Sequence, residues 1–129
     1  MKIIGIGVDI VENKRIKSLI KKKNFLVRTF GKNEILNSKK VKNKMNYFSK
    51  RFASKEALAK AIGTGISGGL HFKDIEVVNN SYGKPYYLNS SKLKKFIIKK
   101  KKIKNFDLFL SISDEKEYSI AFAIIQTKK

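Results

Sequence analysis

The sequence predicts an α+β fold: one domain, residues 1–129, with a largely antiparallel sheet and packed helices. Three observations lead there. Helix-like and strand-like segments come in blocks, without the strict β–α alternation of a parallel sheet. Two pairs of strand-like runs are joined by turn-rich segments, Asn79–Lys84 and Asp114–Glu117, as antiparallel hairpins require. The 129 residues contain no internal repeat, linker or low-complexity stretch, and that length suits one domain.

Each element has its own signal. Lys2–Val8 is rich in Ile and Val and reads as a strand. Both of its faces are apolar, so a central place in the sheet is expected, with Asp9 at its end. Val11–Lys23 carries a helical stripe of Val11, Ile16, Leu19 and Ile20 against basic residues, with Asn24 ending it. Phe25–Phe30 is short and apolar and carries no clear period. Asn33–Lys42 reads as a short helix, with Glu34 in its first turn, where the helix dipole favours an anion.

The central segment is a helix that starts between Lys44 and Phe48 and runs to Ile62. Ala, Leu, Lys and Glu dominate it, and all are strong helix formers. Leu58 and Ile62 share a face with Arg51 and Lys55. Ala57 and Ala61 flank that face and leave room for another element to pack tightly. Gly63 stops the helix, because glycine takes the left-handed conformation cheaply. Thr64–Leu70 is then a glycine-rich loop. Phe72–Asn79 alternates and reads as a strand, with Pro85–Leu88 returning beside it. Ser90 or Ser91 caps a basic helix to about Lys102, with Leu93, Phe96 and Ile97 inward. Asp107–Ser113 and Tyr118–Gln126 form the last antiparallel pair.

Composition bounds the function. There is no cysteine, which removes disulfides and thiolate metal sites and suits a cytoplasmic protein. The apolar start is cut short by Asp9, too early for a signal peptide, and no segment reaches membrane-spanning length. The formal net charge is +20, which points to anionic partners: acidic proteins, phosphate-bearing ligands, nucleic acid or acidic membrane. Only Arg15, Arg28 and Arg51 are arginine. The lysine, asparagine and isoleucine bias is also what an A/T-rich genome imposes, so the sign of the charge means more than its size.

Few residues are placed for chemistry. Asp9 and Glu56 are the carboxylates best placed to be held apart from bulk water. Two acids completed by waters and substrate phosphates are a usual setting for Mg²⁺. Lys60, one turn after Glu56, could neutralise a phosphate there. Plainer readings stand beside these: Glu56 and Lys60 as a solvated i,i+4 pair, and Asp9 as an N-terminal carboxylate for the next helix. Gly65 leaves the backbone thin enough for a ligand to approach. Ser111 and Ser113 lie two apart on a strand, so both hydroxyls face one side and could meet phosphate oxygens. His71 has no partner at ligand spacing and reads as structural or exposed. A nucleic-acid-binding reading would use Phe72, Tyr82, Tyr86 and Tyr87 as a stacking platform, but arginine is scarce and no recognised binding motif is present.

Three motifs occur in order: Gly7-Val-Asp-Ile10 with Arg15 beyond it; Arg51-Phe-Ala-Ser-Lys-Glu-Ala57 running into Lys60-Ala-Ile-Gly-Thr-Gly65; and Leu110-Ser-Ile-Ser113. With Asp74-Ile-Glu76 and Gly83-Lys-Pro85 between them, the chain resembles the holo-[acyl-carrier-protein] synthases, the small 4'-phosphopantetheinyl transferases, from Ile3 to Ile125. The resemblance implies that family's fold. It also implies transfer of 4'-phosphopantetheine from coenzyme A to a serine of apo-acyl carrier protein, in fatty acid biosynthesis. Asp9 and Glu56 match the Mg²⁺ ligands, and Glu56 and Lys60 the catalytic pair. Arg51, Lys60, Gly63, Gly65, Gly83, Lys84, Pro85, Ser111, Ser113 and Asp114 match the coenzyme A site. Arg15, Lys22, Phe25 and Arg28 match the surface that meets the acidic carrier. The family forms homotrimers with sites between subunits, so Ser113 of a neighbour is expected to serve Asp9 and Glu56. Neither membrane nor nucleic acid is an expected partner. One departure stands out: Asp114 occupies the place of the family's histidine, beside the coenzyme A phosphates. The expectation there is retained activity with altered coenzyme A affinity; the rival reading is a carrier binder without catalysis.

Overall fold

The computed structural model describes residues 1–63 and 69–128. Its larger sheet has three antiparallel strands: β1 (Ile3–Glu12), β4 (Phe106–Asp114) and β5 (Tyr118–Thr127). The order is β1-β5-β4. β1 is therefore an edge strand, not the central one expected. Its two apolar faces have different causes. Val11 is buried on the helix side, whereas Ile6 and Ile10 are 61% and 59% exposed on the other. The strand also runs further than Val8, so Asp9 lies within the ladder, opposite Ala121.

Among the described residues five helices follow in order: α1 (Asn13–Leu19), α2 (Lys23–Thr29), α3 (Lys32–Ser38), α4 (Lys44–Ile62) and α5 (Ser91–Lys101). The single helix expected over Val11–Lys23 is shorter, and Asn24 lies inside α2, which takes up the untyped Phe25–Phe30 stretch. Phe25 packs on Phe30 and Phe52, with ring centroids 5.9 and 6.0 Å apart. That aromatic cluster, not a local period, sets α2. The strand expected over Phe72–Asn79 is mostly something else. Phe72–Asp74 is a 3-10 turn, and only β2 (Val77–Asn79) pairs with β3 (Pro85–Tyr87). Gly83 turns this hairpin at φ +82°, while the Asn80 side chain accepts from the backbone N–H groups of Tyr82 and Lys84.

α4 is the axis of the core. Asn43 caps its start by accepting from Asn46 N–H at 3.0 Å, and Gly63 ends it in the left-handed conformation at φ +93°. Ala53, Ala57, Leu58, Ala61 and Ile62 are buried against Val11, Ala121, Ala123 and Ile125. The small residues serve close approach. A Cβ at Gly5 or Gly7 would collide with the carbonyl oxygen of Ala61 or Ala57. Glycine in β1 and alanine in α4 thus let the helix lie directly on the strand. Among the described residues no helix is long and apolar enough to cross a membrane.

Candidate active site

Close packing of α4 on β1 brings two distant stretches of sequence together. Side chains alternate along a strand, so Asp9 shares the helix-facing side with Gly7 and Val11. Its side chain keeps 16% of its exposure. Glu56 is half-buried on α4. Burial raises the Glu56 pKa above its ordinary value, and the charge of Asp9 raises it further; Lys60 and Arg15 pull the other way. The two carboxylates therefore feel one another. Lys60 does not form the expected ion pair with Glu56. Its ammonium reaches Asp9 Oδ1 at 3.2 Å and the Val8 carbonyl at 3.0 Å.

A second group gathers at the other end of α4. Arg51 is 4% exposed, lies 3.8 Å from the Tyr47 ring centroid, and donates to Asn79 Oδ1 at 3.2 Å. Its Nε has no partner among the described residues. Burial lowers its pKa. Arg51 lines a cavity of about 180 Å³ with Lys50, Asn79, Gly83, Pro85 and Asp114. An adjoining cavity of about 420 Å³ shares Lys50, Arg51 and Asn79. Lys84, Pro85 and Ser111 border a third, of about 410 Å³, between β3 and the outer side of the sheet. Asp114 accepts from Asn46 Nδ2 at 2.6 Å.

Ser111 and Ser113 do face one side of the sheet, as expected. That side is the wrong one for Asp9 within a single chain. Ser113 pairs with Ile120, which pairs with Ile10, whereas Asp9 pairs with Ala121, which pairs with Ile112. Gly63 sits at the end of α4, and Gly65 lies outside the described residues. Arg15, Lys22 and Arg28 are exposed. Phe25 is buried, so it is not part of the exposed surface with them, contrary to expectation. His71 is exposed, as expected. Of the four hairpin-region aromatics, only Tyr82 and Tyr86 are exposed. Tyr87 is buried with its hydroxyl on the Ser54 carbonyl, and Phe72 packs on Phe52.

Sequence reasoning missed the buried pair Lys55–Glu34, at 2.5 Å with both side chains fully buried. Lys55 also donates to the carbonyls of Phe72 and Ile75, and Glu34 accepts from the N–H groups of Gly31 and Val77. The available signal was the shared face of Lys55 with Leu58 and Ile62.

A family model described as the 4'-phosphopantetheinyl transferase superfamily matches residues 5–123. The chain belongs to this superfamily. It is 56% identical over 128 residues to the holo-[acyl-carrier-protein] synthase of Pelagibacter ubique, covering 99% of this chain and 100% of that relative. Its fold matches the crystal structure of holo-[acyl-carrier-protein] synthase from Neisseria meningitidis with a TM-score of 0.86 at 38% identity, over 97% of this chain and 99% of the other. It also matches a holo-(acyl-carrier-protein) synthase from Bacillus anthracis in complex with CoA (3',5'-ADP), with a TM-score of 0.82 at 34% identity, over 99% and 100% of the two chains. The superfamily's α+β fold is the architecture described above.

Proposed function

We infer that this chain transfers 4'-phosphopantetheine from coenzyme A to a serine of apo-acyl carrier protein, in support of fatty acid biosynthesis. What supports the reading is the contact of Lys60 with Asp9 where α4 lies on β1, with Glu56 on the same helix near enough to feel the charge of Asp9. The serine oxygen bonds to the phosphorus that bears pantetheine. The bond from that phosphorus to the bridging oxygen breaks, and adenosine 3',5'-bisphosphate leaves with that oxygen.

Asp9 and Glu56 fit a divalent ion. Their mutual repulsion is what a cation between them would relieve. Among the described residues no third acid or histidine joins them, so water and phosphate would complete the shell, as Mg²⁺ favours. Bound there, Mg²⁺ would polarise the diphosphate and offset charge on the leaving phosphate. The proton of the incoming hydroxyl would pass to the free oxygen of Glu56 or to a water held by the ion. Lys60 offsets charge on the phosphoryl oxygens. The Arg51 cavity, walled by Gly83, Pro85 and Asp114, takes the nucleotide end. Exposed Arg15, Lys22 and Arg28 attract the acidic carrier, and added salt weakens that attraction.

The outer side of the sheet supports a homotrimer. Ile6, Val8, Ile10, Phe109, Ile120 and Phe122 are all exposed there, an apolar area that a lone subunit would leave in water. Ser111 and Ser113 lie on the same side. In a trimer they serve a neighbour's Asp9 and Glu56, which one chain cannot arrange. The test is mass spectrometry of apo-carrier incubated with the chain, coenzyme A and Mg²⁺. The expected product is phosphopantetheinylated carrier, lost on chelation and with Glu56→Gln. An unmodified carrier under saturating conditions rejects the reading. Sedimentation of wild type and Phe122→Glu tests the assembly.

A further inference from the structure

Asp114 is out of place by charge. The chain has 30 lysines and arginines against 10 acids, and the cavity of about 180 Å³ is lined by Lys50 and by Arg51 with its unpartnered Nε. Asp114 nevertheless closes that cavity. Neither cation takes it up: among the described residues its carboxylate forms no ion pair and is held by Asn46 Nδ2 at 2.6 Å. Asn46 stands in the first turn of α4, fixed by the Asn43 cap. The turn after Asp114 is fixed as well. Asn13, 1% exposed, donates to the carbonyls of Glu115 and Lys116 at 3.0 and 3.1 Å and accepts from Ser119 Oγ at 2.8 Å. A negative charge is thus built into the wall of a cationic cavity and held there from both sides.

We propose that Asp114, aligned by Asn46, is a specificity-determining residue that loosens the cavity's hold on the anionic end of its nucleotide ligand. This rests on the reading that coenzyme A binds there. A fixed carboxylate repels incoming phosphate; Asp114 is exposed, so solvent moderates the effect without removing it. Asn46 has a second role. It keeps the carboxylate from swinging onto Lys50 and Arg51, where it would compete as an internal anion. The released bisphosphate carries the same phosphates as that end of coenzyme A, so a looser hold also shortens its stay.

The two side chains therefore have opposite effects, and calorimetry with adenosine 3',5'-bisphosphate separates them. Asp114→Asn should tighten binding about 3- to 10-fold, the scale of removing one nearby like charge. Asn46→Ala should weaken it about 2- to 5-fold in the wild-type background, and leave it unchanged in the Asp114→Asn background. Asn46→Ser replaces Asn46→Ala if that variant fails to give a cooperative melt. Unchanged or weaker binding by Asp114→Asn overturns the inference. So does an Asn46 effect of equal size in both backgrounds, which would mean that Asn46 acts on the ligand directly. A folded wild type that binds neither the bisphosphate nor coenzyme A overturns the coenzyme A assignment itself.

Discussion

Lys55 and Glu56 are neighbours on α4, yet they belong to different worlds. Lys55 points inward to Glu34, and every polar atom of that pair is used: two carbonyls accept from the lysine and two backbone N–H groups donate to the acid. Glu56 feels the like charge of Asp9, with Lys60 and Arg15 as partial compensation. The first cluster is saturated and ties α3, the 3-10 turn and β2 to α4. The second is left unsatisfied at the surface, where a cation and a phosphate can complete it. Burial pushes both glutamates in one direction, upward, and lowers Lys55. A perturbed acid is therefore not enough to mark a site. What separates the two is whether the protein itself has already answered the charge.

The sharpest break between the clusters is activity. Glu56→Gln should cut transfer by about 10²- to 10⁴-fold, the range for losing a general base, with the fold intact. Steady-state assay beside a thermal melt checks both halves. Lys55→Met should do the reverse. Stability should fall by about 3–5 kcal/mol, because a buried carboxylate loses its partner. Activity per folded molecule should change far less, and denaturant titration with active-site titration separates the two. Adding Glu34→Leu should recover only part of the loss, since the Gly31 and Val77 N–H groups then lack an acceptor.

Gly7→Ala tests the contact that aligns the clusters. The new methyl must push α4 away from β1, costing about 1–3 kcal/mol and lowering turnover beyond the loss in folded fraction. At the surface, Lys60→Ala should cost at most about 0.5 kcal/mol, because its pairing with Asp9 is solvated, while kcat falls. The smallest effect is on pH dependence. Glu56 has a folded pKa above its unfolded value, so ionising it destabilises the fold as pH rises from about its ordinary value of 4.5 through the folded value. Glu56→Gln should raise Tm slightly at pH 7 and not below pH 4. A gain that persists in acid would remove Asp9 and burial as its cause.

Much of the fold was legible because its signals are local. The period of α4, its glycine stop and its small alanines are written in adjacent residues, and so are the β2–β3 and β4–β5 turns. The segments that misled were set by distant partners. Phe25–Thr29 is helical with Phe52 against Phe25, and Phe48 holds Phe30 just beyond the helix end. Phe72–Asn79 mostly avoids strand structure because Lys55 claims the Phe72 and Ile75 carbonyls. Among the site residues, the acids and the glycine hairpin were legible by type. Phe25 was misread as surface, and Glu34 was read only as a dipole partner.

The sequence by itself determined α4 with its glycine stop, the two hairpins, which residues could carry charge to a phosphate, and that α4 could be approached closely. Tertiary structure alone decided that β1 is an edge, that Lys60 turns to Asp9, and that Lys55 is buried while Lys60 is not. The reason is physical. Periodicity states which residues share a face, but the free energy of a charge depends on what covers that face, and those neighbours lie far away along the chain.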